Sequence, residues 1–145
     1  MKEFNKTITK EVFRERWLDC INELTSLELQ KKSWLNINNT NPHWSFVEFY
    51  SSYFDNLFTG YDYEEYIHQN WLTKQEFEII KDWHEALHKY DSPSNKDWDV
   101  EAILNDAKWL EIVKMGEKAK NKLATVLDEK EKKYLLEEID YLKYT

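Results

Sequence analysis

A chain of 145 residues with a formal net charge of −8 is most simply a single acidic domain, because this length allows a sizeable core to be buried. No run approaches the roughly 20 consecutive apolar residues of a membrane span, and residues 1–13 lack the apolar segment of a secretory signal. The single cysteine excludes an internal disulfide and a cysteine zinc site, so we expect a cytoplasmic protein without membrane association.

Glycine and proline are scarce, at two residues each, which favours helices because β-hairpins need glycine at turns with positive φ. The first helix is predicted within residues 9–24, where apolar side chains recur at helical spacing. This face consists of Phe13, Trp17, Cys20, Ile21 and Leu24. Cys20 is therefore predicted to be a buried, inert thiol.

The next predicted helix lies within residues 41–60, with Asn41 as its N-cap, Pro42 at its first helical position and Gly60 after its end. Three later helix starts have the spacing of a capping box, in which a short polar side chain and an acid three residues on satisfy each other's backbone donors. The pairs are Asp62 with Glu65, Thr73 with Glu76, and Asp128 with Glu131.

Two loops interrupt this helical pattern, at residues 36–41 and 90–97, and Gly116 either ends a helix or lies within a longer one. A helical-repeat architecture is an alternative, because the dipeptide Trp-Leu recurs along the chain. It begins at Trp17, Trp34, Trp71 and Trp109. The preferred prediction is an all-α fold, a compact single-domain bundle of six to eight helices spanning residues 1–145.

The helix predicted over residues 74–90 contains the spacing His-Glu-x-x-His, formed by His84, Glu85 and His88. On a helix, residues four apart point the same way, so two imidazoles can bind one zinc ion while the glutamate activates its water. In these residues the chain resembles the zincin metallopeptidases, and the resemblance implies His84 and His88 as ligands and Glu85 as general base. A zinc-dependent metallopeptidase is therefore one alternative function.

The surroundings of this motif differ from the zincin pattern. Asp82 and Lys89 stand where zincins usually carry uncharged residues. Gluzincins take a downstream helical glutamate as the third zinc ligand, and Glu111, the nearest to that spacing, lacks the surrounding pattern of that family. An apolar stripe at helical spacing instead contains Phe77, Ile80, His84 and Leu87. We therefore predict a packed histidine, no metal or other cofactor, and no catalytic residue.

Charge is unevenly distributed along the chain. Residues 36–112 carry five Lys or Arg against fifteen Asp or Glu, whereas each flanking segment has a net charge of +1. Between Lys32 and Lys74 there is no cation, while five acids and twelve aromatic residues occur. Tyrosines and acids alternate over residues 61–66 and cannot all face one core, so we expect exposed tyrosines beside the acids.

An acidic surface with aromatic anchors suits a basic protein partner, because carboxylates steer association and aromatic rings supply contact energy. Nucleases are typical basic partners, whereas no basic stripe in this chain indicates direct binding of nucleic acid. We predict that the partner-binding face comprises residues within 44–73 and the loop around Trp98. Its residues are Asp55, Tyr61, Asp62, Tyr63, Glu64, Glu65, Tyr66, Asp97, Trp98 and Asp99.

The length, the charge, the single cysteine and the stretch YFDNLFTGYDYEEYI resemble the small acidic immunity proteins that neutralise bacterial toxins. These include immunity proteins of contact-dependent growth inhibition systems. The resemblance implies a cytoplasmic inhibitor, not an enzyme, that binds one cognate toxin domain. A helical adaptor, or a nucleic-acid mimic that blocks a DNA-binding protein, is the remaining alternative.

Overall fold

The computed structural model describes residues 4–5, 7–35, 44–58 and 60–140. Within these ranges the protein is all-α: helices account for 71% of the residues and no strand is present. The eight α-helices are α1 (Lys10–Leu24), α2 (Leu27–Trp34), α3 (Phe46–Leu57), α4 (Tyr63–His68), α5 (Lys74–His88), α6 (Val100–Leu104), α7 (Ala107–Ala124) and α8 (Glu129–Leu136). A short 3-10 segment, Pro93–Asn95, lies between α5 and α6. The predicted fold class and helix number are confirmed.

Helix α1 is the centre of the packing. It contacts α2, α3, α7 and α8, and α5 packs along α7 on the other side of the core. Its predicted apolar face is buried, including Cys20. One cluster of buried apolar side chains draws residues from all eight α-helices, and its largest fully buried members are Trp17, Trp83 and Trp109.

Gly116 lies inside α7 and not at its end. A Cβ atom at this position would stand 2.4 Å from Cγ2 of Thr25 and 2.7 Å from Nε1 of Trp83. The glycine therefore allows α7 to approach both Trp83 of α5 and the end of α1. This close approach explains why a residue that weakens a helix interior by about 1 kcal/mol is placed here.

The predicted helix starts are confirmed to different degrees. Thr73 and Glu76 form both halves of a capping box at the start of α5. Asp62 and Asp128 each cap a helix by accepting a backbone hydrogen bond, at 2.9 Å and 2.8 Å. The second half of the box is absent at α8 because the Glu131 side chain binds Arg14 instead.

Helix α3 starts later in the sequence than predicted. Asn41, Pro42 and the predicted loop at 36–41 lie outside the described residues, whereas α3 begins at Phe46 after the N-cap Ser45. Gly60 follows the end of α3 with a φ of 79°, a conformation that favours glycine.

The Trp-Leu pairs occupy unrelated positions in the fold. Trp17 lies in the middle of α1, Trp34 ends α2, Trp71 lies between α4 and α5, and Trp109 is in the first turn of α7. The four copies therefore mark no common structural unit. In the part of the chain that is described, no helix is both long and apolar enough to cross a membrane.

Candidate partner-binding site

A groove of about 590 Å³ opens between α4 and α5. Its more buried lining consists of Tyr63, Ile67, Phe77 and His84, which we call the groove floor. The exposed lining, which we call the groove rim, consists of Asp62, Glu64, Lys74, Glu78, Glu85, His88 and Lys89. The fold thus brings the first acids of the predicted binding face next to the His-Glu-x-x-His segment.

A chain of hydrogen bonds runs from the core to the groove floor. The Trp17 indole N–H donates to the Tyr63 hydroxyl at 2.8 Å, and the hydroxyls of Tyr63 and Tyr53 are 2.6 Å apart. The Tyr53 hydroxyl lies 2.8 Å from Nδ1 of His84. Since an indole only donates, every hydroxyl proton finds an acceptor when Tyr63 donates to Tyr53 and Tyr53 donates to His84. His84 then accepts at Nδ1 and carries its proton on Nε2.

The side chains that these hydrogen bonds connect are uncharged at neutral pH. Burial, and secondarily the neighbouring His88, lowers the pKa of His84 to about 4. Burial also raises the pKa values of Tyr53 and Tyr63, so both hydroxyls keep their protons. A neutral imidazole and protonated phenols give the groove floor no formal charge.

The His-Glu-x-x-His segment is helical, and His84 packs as predicted. Its ring contacts those of Tyr53, Phe54 and Tyr63, at centroid distances between 4.9 and 5.6 Å, whereas His88 is exposed. Glu111 lines a separate groove between the end of α5 and α7. Among the described residues, no three His, Cys, Asp or Glu side chains are grouped so that they could hold a metal ion.

Two of the predicted binding tyrosines are buried, and their expected exposure is wrong. Tyr63 is 5% exposed and Tyr66 is 0% exposed, and the Tyr66 hydroxyl donates to the Leu57 carbonyl at 2.7 Å. Tyr61 is half-buried, and its hydroxyl accepts a hydrogen bond from the Asn5 backbone. The physical reason is that α4 begins at Tyr63, so Tyr63 and Tyr66 are three residues apart on one inward face. The cap at Asp62 was the sequence signal that could have revealed this.

The acids of the same stretch point to solvent. Asp55, Asp62, Glu64 and Glu65 are all exposed, and none forms an ion pair with another described residue. One carboxylate oxygen of Asp62 accepts the hydrogen bond that caps α4. These four carboxylates are therefore accessible to solvent.

The second predicted segment provides the most exposed large apolar side chain among the described residues. Trp98 is 72% exposed, and the Lys96 ammonium lies 5.7 Å from the centre of a Trp98 ring. Asp97 is exposed and accepts a hydrogen bond from the Ser92 hydroxyl. Asp99 is half-buried and caps α6 through the Ala102 backbone, so its carboxylate is partly occupied by the fold.

Tyr50 and His88 relate the groove rim to the second segment. The His88 side chain belongs to the groove rim, and its backbone carbonyl accepts a hydrogen bond from the Tyr50 hydroxyl at 3.4 Å. Burial, followed by the charges of Asp55, Asp97 and Asp91, raises the pKa of Tyr50, so these three carboxylates act on its hydroxyl electrostatically. We define the acidic face as the rim acids Asp62, Glu64, Glu78 and Glu85 together with Asp55, Asp91 and Asp97, whose charges act on Tyr50. The sequence prediction did not include Asp91, Glu78 and Glu85, because only the packing of segments that are distant in sequence brings these acids near the predicted ones.

Comparison with known proteins finds no matching family model, no matching curated protein and no matching solved structure. The function must therefore be inferred from the geometry and the charges of this chain.

Proposed function

We propose that this protein is an inhibitor that binds a basic protein partner through the acidic face, in the manner of an immunity protein bound to its toxin domain. The observation that carries the proposal is a set of exposed carboxylates that form no ion pair with another described residue. Four of them line one groove, and Asp97 is adjacent in sequence to the exposed Trp98. The protein itself catalyses no reaction in this proposal, and it acts in the cytoplasm as the resemblance implies.

Repulsion among the exposed carboxylates is unfavourable in the free protein, and a basic partner relieves it. The groove rim has four carboxylates and two lysines, so its members repel one another and attract cations. Such a surface accelerates association with a basic protein and selects against acidic ones. The ring of Trp98 supplies the desolvated contact that slows dissociation.

The proposal is tested on the product of the adjacent upstream gene, by measuring inhibition of its activity and its association rate at low and high salt. The acidic-face variant carries Asp55→Asn, Glu64→Gln and Asp97→Asn. The control carries Glu11→Gln, Glu101→Gln and Glu117→Gln, which removes the same charge from exposed positions outside the face.

We expect the acidic-face variant to associate about tenfold more slowly at low salt, with the difference shrinking once the Debye length falls below about 8 Å. The control is expected to associate as the wild-type protein does. Equal association rates for both variants, or a wild-type protein that fails to inhibit the toxin, would overturn the proposal.

A further inference from the structure

We propose that the groove between α4 and α5 receives an amphipathic helix of the partner, with its apolar side chains on the groove floor and its Lys or Arg side chains against the rim acids. This inference rests on the proposed function and specifies which part of the partner is bound.

The groove floor favours a helix over an extended peptide. A helix satisfies its backbone hydrogen bonds internally, so the receiving surface needs to supply only apolar contacts. An extended or polyproline segment leaves its carbonyls free and needs donors from the groove. The floor offers Ile67 and Phe77, and the Tyr63 hydroxyl is already bonded to Trp17 and Tyr53, so the Nε2 N–H of His84 is the one side-chain donor that the floor residues could supply. In the described ranges there is no strand edge to which a peptide strand could be added.

The volume of the groove is consistent with this occupant. At about 590 Å³, it lies in the range of roughly 300–1,000 Å³ in which proteins enclose compact ligands. This space accommodates several aliphatic side chains from one helical face. Because His84 is neutral at physiological pH, the floor has no formal charge.

Charge decides which helix fits. The acids Asp62, Glu64, Glu78 and Glu85 outnumber the rim cations Lys74 and Lys89, and none of them is held in an ion pair among the described residues. A helix with Lys or Arg flanking its apolar stripe therefore matches the rim. A second copy of this chain is a poor occupant, because two molecules of net charge −8 repel each other.

The probe is a fluorescent peptide of about four helical turns built only from leucine and lysine, with the leucines along one helical face. A control peptide has the same composition with leucine and lysine alternating, which prevents an apolar helical face. Fluorescence anisotropy measures the Kd of each peptide. We expect the helical peptide to bind at least about tenfold more tightly than the control. Equal binding of the two peptides would show nonspecific charge attraction and overturn the inference.

Two protein variants locate the peptide. Ile67→Gln removes apolar floor, and Glu64→Lys with Glu78→Lys reverses the rim; each should weaken the helical peptide about tenfold. The matched control is Glu101→Lys with Glu117→Lys, because it has the same net charge and the same pair of positions, one in a first helical turn and one in a helix interior. This control should stay within about twofold of the wild-type Kd. Circular dichroism verifies that every variant is folded, and equal loss in the rim and control variants would overturn the inference.

The same variants separate this inference from the proposed function. If the toxin domain is inhibited by the wild-type protein and escapes only the acidic-face variant, while Ile67→Gln and the rim reversal inhibit normally, the groove proposal is wrong and the function stands. If the toxin domain is never inhibited although the helical peptide binds the groove as described, the proposed function is wrong and the groove is still a helix-binding site.

Discussion

Glu76 and Glu131 are held inside the fold by Arg14, whereas Glu64 and Glu78 lie on the groove rim and form no ion pair with another described residue. The Arg14 guanidinium donates to Glu76 at 2.6 and 3.0 Å and to Glu131 at 2.7 and 3.1 Å. It also donates to the Trp71 carbonyl at 2.9 Å. Arg14, Glu76 and Glu131, which we call the inner group, thus connect α1, α5 and α8. Glu64 and Glu78 form no such connection with another described residue.

The difference separates charge that the fold uses from charge that it leaves available. Burial alone would raise the pKa of Glu76, but the hydrogen bonds from Arg14 and Thr73 outweigh it and hold the pKa below its ordinary value. The same carboxylate therefore stabilises the folded state when it is ionised. Glu64 and Glu78 make no corresponding contact with another described residue, so their removal should leave the fold intact and change only what binds to it.

The largest expected effect comes from breaking the inner group. Arg14→Met keeps an apolar stem of similar length but leaves Glu76 and Glu131 close together without a cation. We expect a loss of about 3–5 kcal/mol in the free energy of unfolding, as is usual when one partner of a buried ion pair is removed. Urea denaturation followed by circular dichroism measures it.

Lys32→Met is the control for this prediction, because Lys32 and Glu28 form an exposed ion pair four residues apart. It should cost less than about 1 kcal/mol. Similar losses in the two variants would mean that the inner group is no more important than a surface pair.

The next largest effect is the loss of stability in acid. His84 has a folded pKa of about 4, below its ordinary 6.5, so the unfolded chain binds a proton that the folded chain rejects. Stability is therefore complete above about pH 6.5 and falls as the pH decreases toward 4, by at most about 3 kcal/mol. His84→Asn retains an acceptor for Tyr53 and should flatten the stability curve in this window.

Glu76 acts in the same direction at lower pH. Because its folded pKa is below the ordinary 4.5, its stabilising charge is present above that value and is lost as the pH falls through the folded pKa. His84→Asn should therefore retain the acid unfolding below about pH 4.5. A variant that unfolds like the wild-type protein between pH 6.5 and 4 would exclude His84 as the titrating group.

A smaller effect is expected within the hydrogen-bond chain. Tyr53→Phe removes one hydroxyl, which leaves the proton of the Tyr63 hydroxyl without an acceptor and Nδ1 of His84 without a donor. Buried groups without partners cost about 1–3 kcal/mol, so thermal unfolding should shift down by several degrees, about 3–10 °C. Tyr50→Phe serves as the control, because the Tyr50 hydroxyl makes only a long bond at a more exposed site.

The contrast between local and distant contacts explains what the sequence could predict. The buried face of α1 and the capping box at Thr73 depend on residues a few positions apart, so spacing alone predicts them. The contacts of Arg14 span 62 and 117 residues, and no periodicity encodes such a separation. The groove was equally unpredictable, because it requires the angle between α4 and α5.

The smallest expected effect concerns the rim, and it completes the comparison with the inner acids. Glu64→Gln and Glu78→Gln together remove two exposed charges that form no ion pair with another described residue. The free energy of unfolding should change by no more than about 0.5 kcal/mol, as is usual for surface substitutions. The change should be small because the relief of like-charge repulsion across the rim opposes the loss of a carboxylate from the first turn of α4, and it should vanish in high salt. Denaturation at two salt concentrations measures it, with Glu76→Gln as the contrasting variant. A loss of more than about 1 kcal/mol in the rim variant would mean that the fold depends on these acids as it does on Glu76, and they could then no longer be regarded as free for a partner.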